Sequence, residues 1–390
     1  MRMSSQVLKK DDLNDWLSDF GPLEVMMRDP RVTEIMVNGT DKIFVEEKGV
    51  IKRYPSRFPN TQALNLLLKK IAAFIGHELN EENPCFDGRL PDGSRVNIVI
   101  PPVAVDGPSL TIRKFSPFSL THTDLIESGM FDERIAYFLS CCVQSKINLV
   151  ICGGTGSGKT TLLNVLSSFV GQHERIVSIE DTAELKIKNE NLVRLEARAA
   201  NAQKSEVGIR DLVKNALRMR PDRILVGECR GAEALDMLFA MNTGHEGSMT
   251  TLHANSCREG LRRLEGMVLM GGVDFPISIV RDNISSAVEL MLYVQRMPNG
   301  SRKLTEIIEV GRMEGDVILT QEIFKYDFEK GFLGMGFVPR FVHRFKEHGV
   351  KFPPDFFTDK YQVKSSTDDK KIKNAESKGL SKLVKKKKFF

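Results

Sequence analysis

Residues 153–160 read Gly-Gly-Thr-Gly-Ser-Gly-Lys-Thr, which is the spacing G-x-x-x-x-G-K-[ST]. An apolar run, Ile147-Asn148-Leu149-Val150-Ile151-Cys152, precedes it, and Thr161-Leu162-Leu163-Asn164-Val165-Leu166 follows with helical spacing. A buried strand, a glycine turn and a helix start in that order give the motif its physical meaning. The turn allows successive backbone N–H groups to point inward around phosphate oxygens, and the helix start adds the positive end of a dipole. The nucleotide contacts expected here are Gly153, Gly154, Thr155, Gly156, Ser157, Gly158, Lys159, Thr160 and Thr161. Lys159 reaches the β and γ phosphates, and the Thr160 hydroxyl holds Mg2+. This pattern predicts a nucleoside triphosphate site.

The rest of the chain narrows what is done with that nucleotide. A length of 390 residues suggests two or three domains. No apolar stretch approaches the roughly 18 residues of a membrane span, and the polar start shows no secretory leader. Cys85, Cys141, Cys142, Cys152, Cys229 and Cys257 show no C-x-x-C spacing and read as buried, reduced thiols of a cytosolic protein, without a zinc site. The net charge of +5 is unevenly spread. Residues 360–390 carry eleven lysines against three acids, so the other 359 residues sum to −3. A mildly acidic body argues against a dedicated nucleic-acid binder. The tail, 360–390, reads as basic and disordered, either solvated or in contact with an anionic membrane surface.

Along the chain, residues 1–20 form a polar arm and 21–113 an α+β domain. That domain has strands near 34–39, 42–46, 95–100 and 109–113, and a helix over 61–76. Residues 114–125 read as a hinge linker. From 126 to 325, strands at 147–152, 175–180, 192–196, 223–227 and 248–252 alternate with helices. This predicts an α/β, mainly parallel sheet with ligands at the strand carboxyl ends. Residues 326–359 are aromatic and rich in Pro and Gly, and are expected to pack irregularly.

Phosphoryl transfer to water also requires acids beside the phosphates and a cation for developing charge. Glu180-Asp181-Thr182-Ala183-Glu184 follows one strand, and Gly227-Glu228 ends another. Glu228 is expected to polarise the attacking water. Gly227 stands where an Asp commonly steers the metal, so the 180–184 cluster is expected to supply that acid. His253 ends a further strand; it reads either as a satisfied core or capping histidine or as a functional one, which hydrogen-bonds phosphate or relays nucleotide state between strands. Arginines are plentiful (Arg89, Arg95, Arg113, Arg194, Arg198, Arg218, Arg220, Arg223, Arg230), and spacing alone does not select a charge-stabilising one.

Taken together, the phosphate loop, Ile179–Glu184, Arg210–Arg223, Val226-Gly227-Glu228 and Thr251–Ser256 resemble the secretion-superfamily ATPases, specifically the CpaF/TadA branch that powers tight-adherence (Flp-type) pili. Val37-Asn38-Gly39, Arg89–Asn97, Asp106–Arg113 and Met313–Ile318 add to the likeness. The resemblance implies a RecA-like ATPase domain with a smaller PAS-like N-terminal domain. It also implies a cytoplasmic homo-hexamer peripheral to the inner membrane, ATP and Mg2+ as cofactors, and inner-membrane pilus platform proteins as partners. On it, Glu180 and Glu184 are the Asp-box acids, with Glu184 toward the metal. Glu228 is the catalytic carboxylate and His253 the His-box residue, while Arg89, Arg95 and Arg113 reach nucleotide from the N-terminal domain. A type IV secretion or conjugation motor shares the same chemistry and is the alternative. A RecA-type nucleic-acid translocase fits less well.

Overall fold

Alternation over Ile35–Asn38 in the strand Val32–Asn38 (β1) sends Ile35 and Val37 to the interior, and the same pattern in Lys42–Glu47 (β2) buries Ile43 and Val45. A computed structural model describes residues 20–47, 49–115, 119–198, 205–272 and 274–360. The arm up to residue 19 and the lysine-rich tail from 361 lie outside the described residues. The chain divides into two compact units between 118 and 119.

In the first unit, Glu24–Arg28 (α1) leads into β1 and β2. They are followed by Val50–Tyr54 (β3), Thr61–Phe74 (α2), Cys85–Arg89 (β4), Arg95–Val99 (β5) and Ser109–Arg113 (β6). The strands form one antiparallel sheet in the order β3-β2-β1-β6-β5-β4. Asn60 caps α2 through the Ala63 N–H, and Leu64, Leu67, Leu68 and Ile71 form the stripe that joins the sheet's core. Phe20, assigned from sequence to the polar arm, is buried in this core. Two strands were not anticipated: β3, which has no buried face, and β4, which contains Gly88.

The second unit begins earlier than the linker reading implied. Thr121 and Asp124 make a reciprocal capping box on His122–Glu127 (α3), so the latter half of 114–125 is helix and cap. The remaining elements are Glu133–Gln144 (α4), Leu149–Gly153 (β7), Lys159–Ser167 (α5), Ile176–Glu180 (β8), Leu192–Glu196 (β9), Ile209–Ala216 (α6), Arg223–Cys229 (β10), Glu233–Asn242 (α7), Met249–Leu252 (β11), Cys257–Leu269 (α8), Ile277–Ala287 (α9), Leu290–Arg296 (β12), Arg302–Glu314 (β13), Val317–Asp327 (β14), Gly331–Gly334 (β15) and Val342–Glu347 (α10). They build a nine-stranded sheet ordered β15-β14-β13-β12-β7-β11-β10-β8-β9. From β12 to β9 every pairing is parallel, whereas β12 to β15 is an antiparallel extension. The sheet is mixed, and its parallel part is buried on both faces. Leu149 and Ile151 belong to one core cluster, Val150 and Cys152 to the other.

The segment 326–359 packs as an aromatic cluster with one short strand (β15) and one short helix (α10). Phe341, Phe345, Phe352, Phe356 and Phe357 gather around Phe138 of α4 and Phe324 of β14, mostly edge to face. Buried Arg134 ties the segment down, donating to the carbonyls of Thr358 and Phe332 at 3.0 and 2.7 Å. Cys85 is exposed at the start of β4, against the expectation that all six thiols are buried. No helix among the described residues is long and apolar enough to cross a membrane.

At the amino ends of the parallel strands, Arg223 is fully buried and grips Glu174 through Nε and Nη2 at 2.8 and 3.0 Å. Burial pushes the Glu174 carboxyl up. The Arg223 hydrogen bond and charge outweigh it, with help from Lys146 and the Gly171 N–H, and hold it below the ordinary glutamate range. Glu174→Gln is expected to destabilise the chain by about 3–5 kcal/mol in denaturant unfolding at neutral pH. Because the folded-state value is depressed, this advantage is complete above the ordinary glutamate range. It fades as pH falls through the depressed value, so the wild type and the variant should converge in acid.

Candidate active site

Four adjacent parallel strands end together, and each delivers one of the motifs. The phosphate loop follows β7, His253 follows β11, Glu228 is the penultimate residue of β10, and Glu180 closes β8. The parallel order β7-β11-β10-β8 places all four at the sheet's carboxyl edge, where α/β folds bind ligands.

The loop itself depends on glycine at defined points. Gly156 and Gly158 sit at φ +68° and +100°, a region that side chains disfavour. A Cβ on Gly153 would lie 2.4 Å from the Val294 carbonyl of β12. Lys159 opens α5, is largely buried, and donates to the Gly154 carbonyl at 3.0 Å, which folds the ammonium over the loop. Arg302 of β13, which the sequence reading passed over, donates to the Gly156 carbonyl at 3.3 Å. Gly156 C=O and Ser157 N–H belong to one peptide plane, so this bond helps fix the direction of that N–H.

Glu180 is 3% exposed. Its Oε2 accepts the backbone N–H groups of Glu184 and Leu185 at 2.8 and 2.9 Å, and so curls the acidic segment back over the strand end. The same segment is tied to the helix after the phosphate loop, since Asn164 Oδ1 accepts the Lys186 N–H at 2.7 Å. Burial pushes the Glu180 carboxyl up, opposed by those two N–H bonds and by Arg194. For Glu184, the bond that links it to this arrangement comes from its backbone.

Gly227 has a steric reason to lack a side chain: a Cβ there would lie 3.0 Å from Glu180 Cγ. An Asp at 227 and the buried Glu180 compete for one space. β10 also bulges at this point. Val226 pairs with Thr250 and Cys229 with Leu252, so Gly227 and Glu228 together oppose Thr251, whose hydroxyl donates to the Gly227 carbonyl at 2.7 Å. Bulges re-aim side chains beside functional sites. Here the re-aimed residue is Glu228.

Glu228 Oε1 is buried without a hydrogen bond, and His253 Nε2 faces it at 3.5 Å. Oε2 accepts from Arg230 Nε and Nη2 at 2.8 and 2.6 Å. Desolvation and the Lys159 charge hold the His253 imidazole below its ordinary value despite Glu228. Both readings of His253 remain compatible with this position. Of the arginines read from sequence, Arg223 is withdrawn from the candidates by its buried pair with Glu174, whereas Arg230 stands at the site.

Magnesium suits the donors present. Glu180 Oε1 is a buried oxygen without a hydrogen-bond partner at the end of β8, the kind of acceptor that a hydrated cation would satisfy. Among the described residues no three His, Cys, Asp or Glu side chains are grouped to hold a metal alone. Such a cation would therefore take one or two protein oxygens and complete its shell with phosphate and water, as Mg2+ commonly does.

Arg89, Arg95 and Arg113 belong to the first unit. Register pairs Arg89 with Arg95 across β4–β5 and Arg95 with Arg113 across β5–β6, forming a row of three cations on one sheet face. Acids accompany the row: Asp87 lies 3.9 Å from Arg95, and Glu34 of β1 is the register partner of Arg113.

The profile of the Type II/IV secretion system protein family matches residues 17–317, and the chain belongs to that family. It is an ATP hydrolase. A putative conjugal transfer protein of Mycobacterium tuberculosis is 38% identical over 308 residues, which is 77% of this chain and 87% of that protein. The type IV secretion system protein VirB11 of Bartonella henselae is 30% identical over 346 residues, covering 79% of this chain and 96% of its own. Among solved structures, the pilus retraction motor PilT with bound ADP shares the fold, with TM-score 0.52 at 19% identity over 88% of this chain and 87% of that one.

The Lys159 charge should be readable at His253. In NMR titration the His253 imidazole is expected to protonate below the ordinary histidine range, and Lys159→Met should move it upward. No movement would separate the two groups.

Proposed function

We propose that this chain is the motor ATPase of a type IV secretion or conjugative-transfer apparatus. It acts as a homo-hexamer on the cytoplasmic face of the inner membrane and passes the energy of ATP hydrolysis to membrane-bound partners. The observation that supports hydrolysis most directly is the meeting of phosphate loop, Glu180, Glu228 and His253 at the ends of four adjacent strands. The choice of machine leans on the relatives, whose names are those of conjugal-transfer and type IV secretion proteins. They favour the machine that the sequence reading held as its alternative.

In this reading the loop from Gly153 to Thr161 wraps the phosphates, and Lys159 neutralises their charge. Thr160 would hold Mg2+, with Glu184 or Glu180 as its acidic partner. When bound, the cation adds charge stabilisation at the transferring phosphoryl group. Glu228 Oε1 orients the attacking water, and His253 beside it hydrogen-bonds phosphate or water.

A second reading, assembly of a tight-adherence pilus, rests on the strings Val37-Asn38-Gly39, Arg89–Asn97, Asp106–Arg113 and Met313–Ile318. Deleting the gene should abolish intercellular DNA or effector transfer under the first reading. Loss of surface pili with transfer intact would favour the second.

Lys159→Ala should eliminate nucleotide binding in equilibrium titration with a fluorescent ATP analogue. Glu228→Gln should bind that analogue as the wild type does, while steady-state turnover falls about 10²–10⁴-fold. Full turnover by the Glu228 variant would remove Glu228 from the mechanism.

A further inference from the structure

Arg230 is placed unlike an ordinary surface arginine. Its guanidinium spans two carboxylates at the ends of neighbouring strands. Nε and Nη2 both donate to Glu228 Oε2, at 2.8 and 2.6 Å, and Nη1 donates to Asp181 Oδ2 at 3.0 Å. Its backbone is held as well, because Glu233 Oε1 accepts the N–H groups of both Arg230 and Gly231. The arginine is therefore fixed at its root by the start of α7 and at its tip by the segment after β8.

The consequence falls on Glu228. Both hydrogen bonds from Arg230 go to one oxygen, leaving Oε1 buried, without a hydrogen bond, and facing His253 Nε2 at 3.5 Å. A carboxylate on a strand bulge can rotate about its side-chain torsions. One clamped by Oε2 presents Oε1 in a single direction, and immobilising a reacting group in this way is a recognised source of rate. The Arg230 and Asp181 side chains are 61% and 41% exposed, so their pair contributes little to stability. Its effect is geometric. Lysine could meet either carboxylate but lacks the planar fork that holds both at once.

We infer that Arg230 is a positioning residue, braced by Asp181, that holds Glu228 by one oxygen so that the other faces the hydrolytic water. This inference rests on the reading of Glu228 given above, and neither Arg230 nor Asp181 touches nucleotide in it. The brace also crosses from β8 to β10, so any shift of the acidic segment on nucleotide exchange would be felt at Glu228.

The test is steady-state ATPase kinetics of the full chain, with ADP affinity measured in parallel. Arg230→Gln is expected to lower kcat about 10- to 100-fold, the scale of a misplaced reacting group. The KM for ATP and the affinity for ADP should stay within about twofold of wild type. Asp181→Asn should lower kcat by less, and the double variant should be no worse than Arg230→Gln alone. Arg230→Lys should recover part of the loss. In a Glu228→Gln background, Arg230→Gln should have no further effect, a result that general structural damage would not give. Unchanged or increased kcat in Arg230→Gln overturns the inference, as does a loss of full size persisting in the Glu228→Gln background. Wild-type turnover by Glu228→Gln alone would instead remove the reading of Glu228 itself, and the inference with it.

Discussion

A carboxylate buried at the end of a parallel strand organises the edge of this sheet. Glu180 is out of water, and an ion there must be met by donors or lose its charge. The donors are the backbone N–H groups of Glu184 and Leu185, so the acidic segment has to turn back over the strand. The same side chain occupies the space a Cβ at 227 would need, so the neighbouring strand carries glycine and bulges. The bulge delivers Glu228. One buried carboxyl group thus accounts for a loop conformation, a glycine and the aim of a second carboxylate.

The second carboxylate is balanced by cations of different kinds. Lys159 is folded onto the phosphate loop, and burial, with the Lys159 charge second to it, disfavours protonation of His253. Arg230 adds a full charge, at the outer rim of the site. A transferring phosphoryl group would enter between a fixed ammonium and a fixed carboxylate, the preorganised electrostatics that phosphoryl transfer depends on. Buried thiols nearby take no part: burial pushes Cys229 up to about 12, far from the thiolate that reactivity requires.

Legibility in the sequence followed physical cause. The alternation of buried strand and helix around the phosphate loop was visible because local pattern and final packing agree there. The strand-end positions of Glu180, Glu228 and His253 followed from it. Helix α4 was missed because it is buried nearly all round, including Arg134, so it has no polar face to mark its period. The phenylalanines after 326 are irregularly spaced because they fill gaps around Phe138 rather than one face of an element. The bulge at Gly227 was unreadable, since register belongs to the partner strand and to Thr251. Arg223 and Arg230 look alike in sequence. Only burial separates the one that anchors the sheet from the one that grips Glu228.

These constraints converge on a single claim, that ATP is cleaved between the phosphate loop and Glu228. The most direct measurement is an experimental structure of the full chain with Mg2+ and a non-hydrolysable ATP analogue. The account predicts the γ-phosphate against Lys159 Nζ, the metal on the Thr160 hydroxyl, and an ordered water between the γ-phosphorus and Glu228 Oε1. A nucleotide seated elsewhere, or one in the loop with Glu228 turned from its terminal phosphate, would contradict it.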